Sequence, residues 1–120
     1  MPELGPLYLI HGDDHAAISA RRANLRALAE ASADGGGVEL LEGPDATPAG
    51  AALALASMTL AMGRRVVIVD GVERWKPADV ALVAPALEAL APDTTVVFFA
   101  REEGRAKVPD GLAAAIRKAA

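Results

Sequence analysis

The side chains able to do chemistry gather in three short stretches: His11, Asp13, Asp14, His15 and Ser19; Asp70 and Glu73; and Arg101, Glu102 and Glu103. The first has the most specific spacing. Gly12 is followed by four residues and then Ala17-Ile18-Ser19. A loop that cradles phosphate has glycine, four residues, then Gly-Lys and Ser or Thr, so that backbone amides and the lysine face the anion. Here the hydroxyl survives as Ser19, but alanine stands for the second glycine and isoleucine for the lysine. Asp13 and Asp14 also lie at a helix start that would otherwise attract an anion. A phosphate about 4 Å from a carboxylate is repelled by roughly 1 kcal/mol in water and about 4 at a protein surface. Gly12, Ala17, Ile18 and Ser19 therefore read as a degenerate phosphate loop, and no cofactor is expected there.

The other polar groups have a functional and a plainer reading. Asp13, Asp14 and Asp70 could form a carboxylate cluster for a divalent metal. The plainer expectation is that Asp13 and Asp14 cap a helix, which acids favour locally, while Asp70 ends a strand in solvent, so no metal site is expected. Asp70 is followed by Gly71 rather than by the glutamate that activates water in many ATPases, and Glu73 is displaced from that place. His11 and His15 read as surface residues, and Trp75 as a core or loop anchor. No catalytic residue is assigned. The alternative is a receiver-like phosphoacceptor signalling domain centred on Asp70. Such domains need a hydroxyl residue ending the fourth strand and a lysine ending a fifth, whereas Ala100 ends the fourth here and Lys107 falls in a loop.

A different kind of candidate is Met58-Thr59-Leu60-Ala61-Met62-Gly63-Arg64-Arg65. Two methionines and a leucine lie within five residues beside a glycine, and methionine adapts to varied partner surfaces. The plainer reading folds these side chains into the core.

Composition bounds the answer. The 120 residues predict one domain with a single core, built from Leu, Val, Ile and Ala because aromatics are scarce. No run approaches the roughly 20 apolar residues of a membrane span, and Met1-Pro2-Glu3-Leu4 lacks the basic flank and apolar stretch of a secretion signal. Without cysteine there is no disulfide or thiolate site, and a cytoplasmic location is expected. A net charge of −4 argues against nucleic-acid binding by the overall field.

Four strands alternate with four helices in the apolar pattern. Leu7 to Ile10 is a short strand, followed by a helix from Asp14 to Ser32 that turns Arg21, Arg22, Arg26 and Glu30 outward. Val38 to Glu42 alternates as an edge strand does. Thr47-Pro48 caps a second helix reaching Ser57, with proline at its first position. Arg65 to Asp70 is rich in β-branched residues, as a central strand buried on both faces requires. Val80, Val83, Leu87 and Leu90 mark a third helix, which Pro85 should kink or divide. Thr94 to Ala100 is a second buried strand, and Asp110 should cap a last helix through Leu112 and Ile116. Strict alternation predicts an α/β protein, a parallel sheet with helices on both faces in three layers.

Three stretches together resemble the N-terminal domain of the delta subunit of the bacterial DNA polymerase III clamp loader. Tyr8-Leu9-Ile10-His11-Gly12-Asp13-Asp14 is similar to that family's first strand and altered phosphate loop. Met58 through Asp70 is similar to its small-Leu-Phe-Gly segment, two basic residues and β-branched strand. Ala91-Pro92-Asp93-Thr94-Thr95-Val96-Val97 is similar to the stretch before its lysine-containing loop and closing helix. The order and intervals of the three pieces fit over nearly the whole chain.

The resemblance implies an AAA+, P-loop-NTPase-like fold with sheet order 2-3-4-1 and no ATP hydrolysis of its own. It implies an accessory subunit of a DNA-directed DNA polymerase, which binds the sliding clamp (the beta subunit) and helps open it during DNA replication. Its further partners would be the other clamp-loader subunits and, through the complex, DNA, with no membrane contact. The family's clamp-contacting Leu-Phe pair falls on Leu60 and Ala61, so the aromatic is absent, and Met58, Met62 and Arg64 complete the expected contact. The family's chain is longer, with later helical domains, so residues 1–120 are expected to be its first domain alone.

Overall fold

The computed structural model describes residues 7–32, 38–56, 65–90 and 94–119. Their strands are β1 (Leu7–Gly12), β2 (Val38–Glu42), β3 (Arg65–Asp70) and β4 (Thr94–Arg101), and their helices are α1 (His15–Ser32), α2 (Pro48–Ala56), α3 (Pro77–Glu88) and α4 (Leu112–Ala119). The strands form one sheet in the order β1-β4-β3-β2, with every pair parallel. This is an α/β fold, and its strand order is the one implied by the resemblance, read from the β2 edge.

Burial follows position in the sheet. The central strands β3 and β4 are buried almost end to end, while the edge strands β1 and β2 are only partly covered. A strand flanked by neighbours and covered on both faces is apolar along most of its length, and the buried polar residues of β3 and β4 lie toward their ends, at Asp70, Thr94 and Thr95. Alternate residues divide between two cores. Val67, Val69, Val96, Phe98 and Ala100 face α2, α3 and α4 through Ala51, Leu55, Val83, Leu87, Leu112 and Ile116. Val66, Ile68, Val97 and Phe99 face α1 alone, through Ile18, Leu25 and Ala29. Helices thus cover both faces, three on one and one on the other. Trp75 is an anchor of the three-helix side: it is buried, meets Phe98 edge-on at a centroid separation of 6.0 Å and donates its indole N–H to the Ala46 carbonyl at 2.8 Å.

Local chemistry explains most of the element boundaries. Thr47 accepts the Gly50 N–H at 3.0 Å and starts α2 ahead of Pro48, as expected. The Lys76 N–H donates to Asp79 at 2.8 Å where α3 begins. Two expectations are corrected. α3 is not divided at Pro85 but runs unbroken to Glu88. The ring removes one donor to the Ala81 carbonyl, and both residues lie on the exposed side, where water can take its place. The residue capping α4 is Gly111 rather than Asp110, because the Ala115 N–H closes the first turn on the Gly111 carbonyl at 2.9 Å. No helix among the described residues is long and apolar enough to cross a membrane.

Candidate functional site

The sheet alternation that builds the two cores also delivers three polar side chains to one place, where a fourth from α1 joins them. Ile68 and Phe99 point toward α1, so Asp70 and Arg101, each two residues further on, point the same way beyond the apolar layer. Glu42 ends β2 directly opposite Asp70 in the ladder. Arg22 comes from α1, one turn after the buried Ile18. All four meet at the carboxyl ends of the strands, where open α/β sheets place their ligands.

Asp70 is the hub. It is 6% exposed, and its Oδ2 accepts from Arg22 Nη1 at 2.6 Å and from Arg101 Nη2 at 3.0 Å, while Oδ1 accepts from Arg101 Nε at 3.4 Å. Arg22 Nη1 also donates to Glu42 Oε2 at 2.8 Å. Burial works against the Arg22 charge, but its hydrogen bonds to Asp70 and Glu42 outweigh that and raise its pKa above the usual guanidinium value. Arg101 reaches further. Its Nη1 donates to the Ser19 hydroxyl at 2.6 Å and to the His15 carbonyl at 3.2 Å. Its own backbone N–H is taken by Glu73 Oε1 at 3.0 Å. Gly71, at φ +115°, permits the short 3-10 turn over Val72–Arg74 that brings Glu73 back to that amide.

These contacts test whether a nucleotide fits. In a working phosphate loop a magnesium ion is shared between the loop's hydroxyl residue and an acid ending a neighbouring strand. The corresponding groups here are Ser19 and Asp70, and the Arg101 guanidinium bonds to both. A cation supplied by the chain thus stands between the two groups that would hold the metal. The amide cradle is also engaged: the Ala17 N–H donates to Asp14 Oδ1 at 3.0 Å and the Ile18 N–H to the Asp14 carbonyl at 3.0 Å. Ile18, in the lysine's place, is 4% exposed and packs into the core under α1. The residues present do not fit a nucleotide triphosphate with its metal.

Several expected placements are changed. Asp14 does cap α1, but Asp70 does not end its strand in solvent; two guanidinium groups cover it. Arg22 is not turned outward with Arg21, Arg26 and Glu30, because a residue one turn after a core isoleucine lies on the flank of the apolar stripe, within reach of the sheet's rim. His11 is exposed, as expected, and His15 is half-buried, and both bond to Glu102. His11 Nδ1 donates to Glu102 Oε1 at 3.1 Å and His15 Nε2 to the Glu102 carbonyl at 3.0 Å. With the Glu102 N–H on the Gly12 carbonyl at 2.7 Å, the exits of β1 and β4 are tied together. Among the described residues, no group of three or more His, Asp or Glu side chains is arranged to hold a metal ion.

The arginine network leaves one signal in the sequence: an arginine and two acids each end, or flank the end of, an apolar strand. Met58, Leu60, Ala61, Met62 and Arg64 lie outside the described residues. Arg65, next to them, belongs to β3, and its guanidinium is turned inward onto the Ala54 carbonyl at 2.7 Å and Glu39 at 3.4 Å. Comparison with family models, curated proteins and solved structures gives no match to this chain.

Proposed function

We propose that this chain is a non-hydrolysing, AAA+-like first domain of a clamp-loader delta-type subunit, which binds a ring-shaped sliding clamp and helps open it. The observation that carries the reading is the Arg101 guanidinium lodged between Ser19 and Asp70. A P-loop-like framework whose metal position is filled from within is suited to binding a partner rather than to turning over ATP. The strand order and the motifs around Gly12 and Thr94 support the same reading. The contact surface is Met58, Leu60, Ala61, Met62 and Arg64, in the segment joining α2 to β3, with other loader subunits and DNA reached through the assembled complex in the cytoplasm. A fully buried Leu or Met side chain contributes roughly 1.5–3 kcal/mol before ordering costs, so Leu60 and the two methionines offset part of the loss of an aromatic at Ala61.

The test is a titration of the purified sliding clamp with the wild-type chain and with Leu60→Asp. Binding that is lost in the variant supports the assignment. Equal affinity removes Leu60 from the contact, and no binding by the wild type removes the clamp reading. The receiver-type alternative requires an Asp70 carboxylate open to a phosphodonor, and Arg22 and Arg101 hold both its oxygens. Incubation with acetyl phosphate checks it by mass: an added phosphate, absent in Asp70→Asn, would reinstate that role.

A further inference from the structure

Beside the arginine network, on the flank of α1, lies a cleft of about 470 Å³ lined by Ser19, Arg22, Ala23, Arg26, Ala27, Glu30 and Arg101. The lining carries three arginines and one glutamate, and the Asp70 and Glu42 carboxylates bonded to these arginines balance the remaining charge, so what the cleft offers is guanidinium N–H donors rather than net charge. Arg22, Arg26 and Glu30 follow one another at four-residue spacing, so they stand in a row along the helix. Ala23 and Ala27 between them supply a floor with no side chain beyond Cβ.

Arg22 and Arg101 are held in place from beneath. Arg22 spends only Nη1 on Asp70 and Glu42, and among the described residues its Nε and Nη2 carry no hydrogen bond. Arg26 uses Nε on Glu30 at 3.1 Å, and among the described residues both of its terminal nitrogens carry no hydrogen bond. Asp70 fixes Arg22 and Arg101 side by side on a single oxygen. Two guanidinium groups pinned by one buried carboxylate are preorganised and only partly hydrated, and planar guanidinium forks match phosphate oxygens well.

We propose that this cleft binds a phosphoryl group, with Arg22 and Arg26 as its principal donors and Arg101 closing the inner end. The proposal does not depend on the clamp reading, and it concerns the flank of α1 rather than the degenerate loop at its N-terminus. The shared chemistry is the phosphate oxygen, borne either by a small phosphate compound or by a polynucleotide backbone. The lining offers no aromatic ring on which a base could stack, so any polynucleotide would be held by its backbone without regard to sequence.

The experiment is an amide and arginine Nε–H NMR titration of the intact chain with inorganic phosphate, repeated with a short single-stranded oligonucleotide. Saturable shifts at Ala23, Ala27 and the Arg22 and Arg26 Nε–H signals are expected. Arg26 is half exposed, so Arg26→Gln should fold normally and weaken binding about tenfold, the loss of one charge-assisted pair. Glu30→Gln, which removes the competing carboxylate, should strengthen it. If the oligonucleotide moves the same signals at lower concentration, with a steep loss in salt, the source is a polynucleotide; if phosphate alone moves them, it is a small phosphate compound. No saturation in the millimolar range, shifts confined to other residues, or unchanged affinity in Arg26→Gln would overturn the site.

Discussion

Arg101 grips Asp70 from the adjacent strand by reaching backward. In the parallel ladder Asp70 lies opposite Phe99, so Arg101, two residues further on and on the same face, extends past the end of β3 and folds its guanidinium onto both carboxylate oxygens. Arg22 meets the same carboxylate from α1 at 2.6 Å. One buried acid therefore joins two strands and a helix.

The stability of the chain should be more sensitive to the acid than to either base. Asp70→Ala leaves two partly buried guanidinium groups without their shared anion and should cost about 3–5 kcal/mol. Arg101→Ala leaves Asp70 still bonded to Arg22 and should cost about 1–3 kcal/mol. Urea unfolding of both variants and of the double variant measures the difference. An Arg101→Ala cost equal to or above that of Asp70→Ala would show that Asp70 is not the hub.

Gly50→Ala should fail to stabilise the chain although alanine is the better helix former by about 1 kcal/mol. A Cβ at Gly50 would stand 2.8 Å from the Thr47 hydroxyl and 3.1 Å from the Asp45 carbonyl, so it displaces the cap of α2, a bond worth about 1 kcal/mol. The same substitution made on Thr47→Ala should be more favourable than it is on the wild type. Thermal midpoints of the four proteins check this; additive shifts would separate the glycine from the cap.

Acid should loosen the tie between β1 and β4. The Glu102 carboxyl is held below its ordinary pKa, first by the backbone N–H of Val108 at 3.0 Å and then by His11, against a smaller opposing effect of burial. A carboxyl depressed in the folded state contributes stability that is complete above the unfolded value, about 4.3, and is lost as pH falls through the folded value. Glu102→Gln should therefore be less stable than wild type at neutral pH, with the gap closing below about pH 4. A gap that stays constant through the acid range would mean that the charge of Glu102 contributes nothing to the tie.

The sequence by itself determined the alternation of strands and helices, the two buried central strands and the lack of a phosphate-loop lysine after Gly12. Each of these rests on local information: β-branched runs, helical spacing, Thr47 before Pro48, and isoleucine where a lysine would have to be. It also located Asp14 as a cap, because an acid at a helix start bonds an amide three residues away. What it could not supply was the company kept by Asp70. Asp70 is 48 residues from Arg22 and 31 from Arg101, and only the parallel register and the placement of α1 on that face bring them within hydrogen-bond distance. The same holds for His11 and His15, which read as surface residues until β4 delivers Glu102 beside them. Pro85 does not divide α3, since on the exposed flank water can take the lost bond, and the first turn of α4 closes on Gly111 rather than on Asp110. Periodicity reports which face of an element is buried, while the pairing of charges at the sheet's rim is decided by which strands become neighbours.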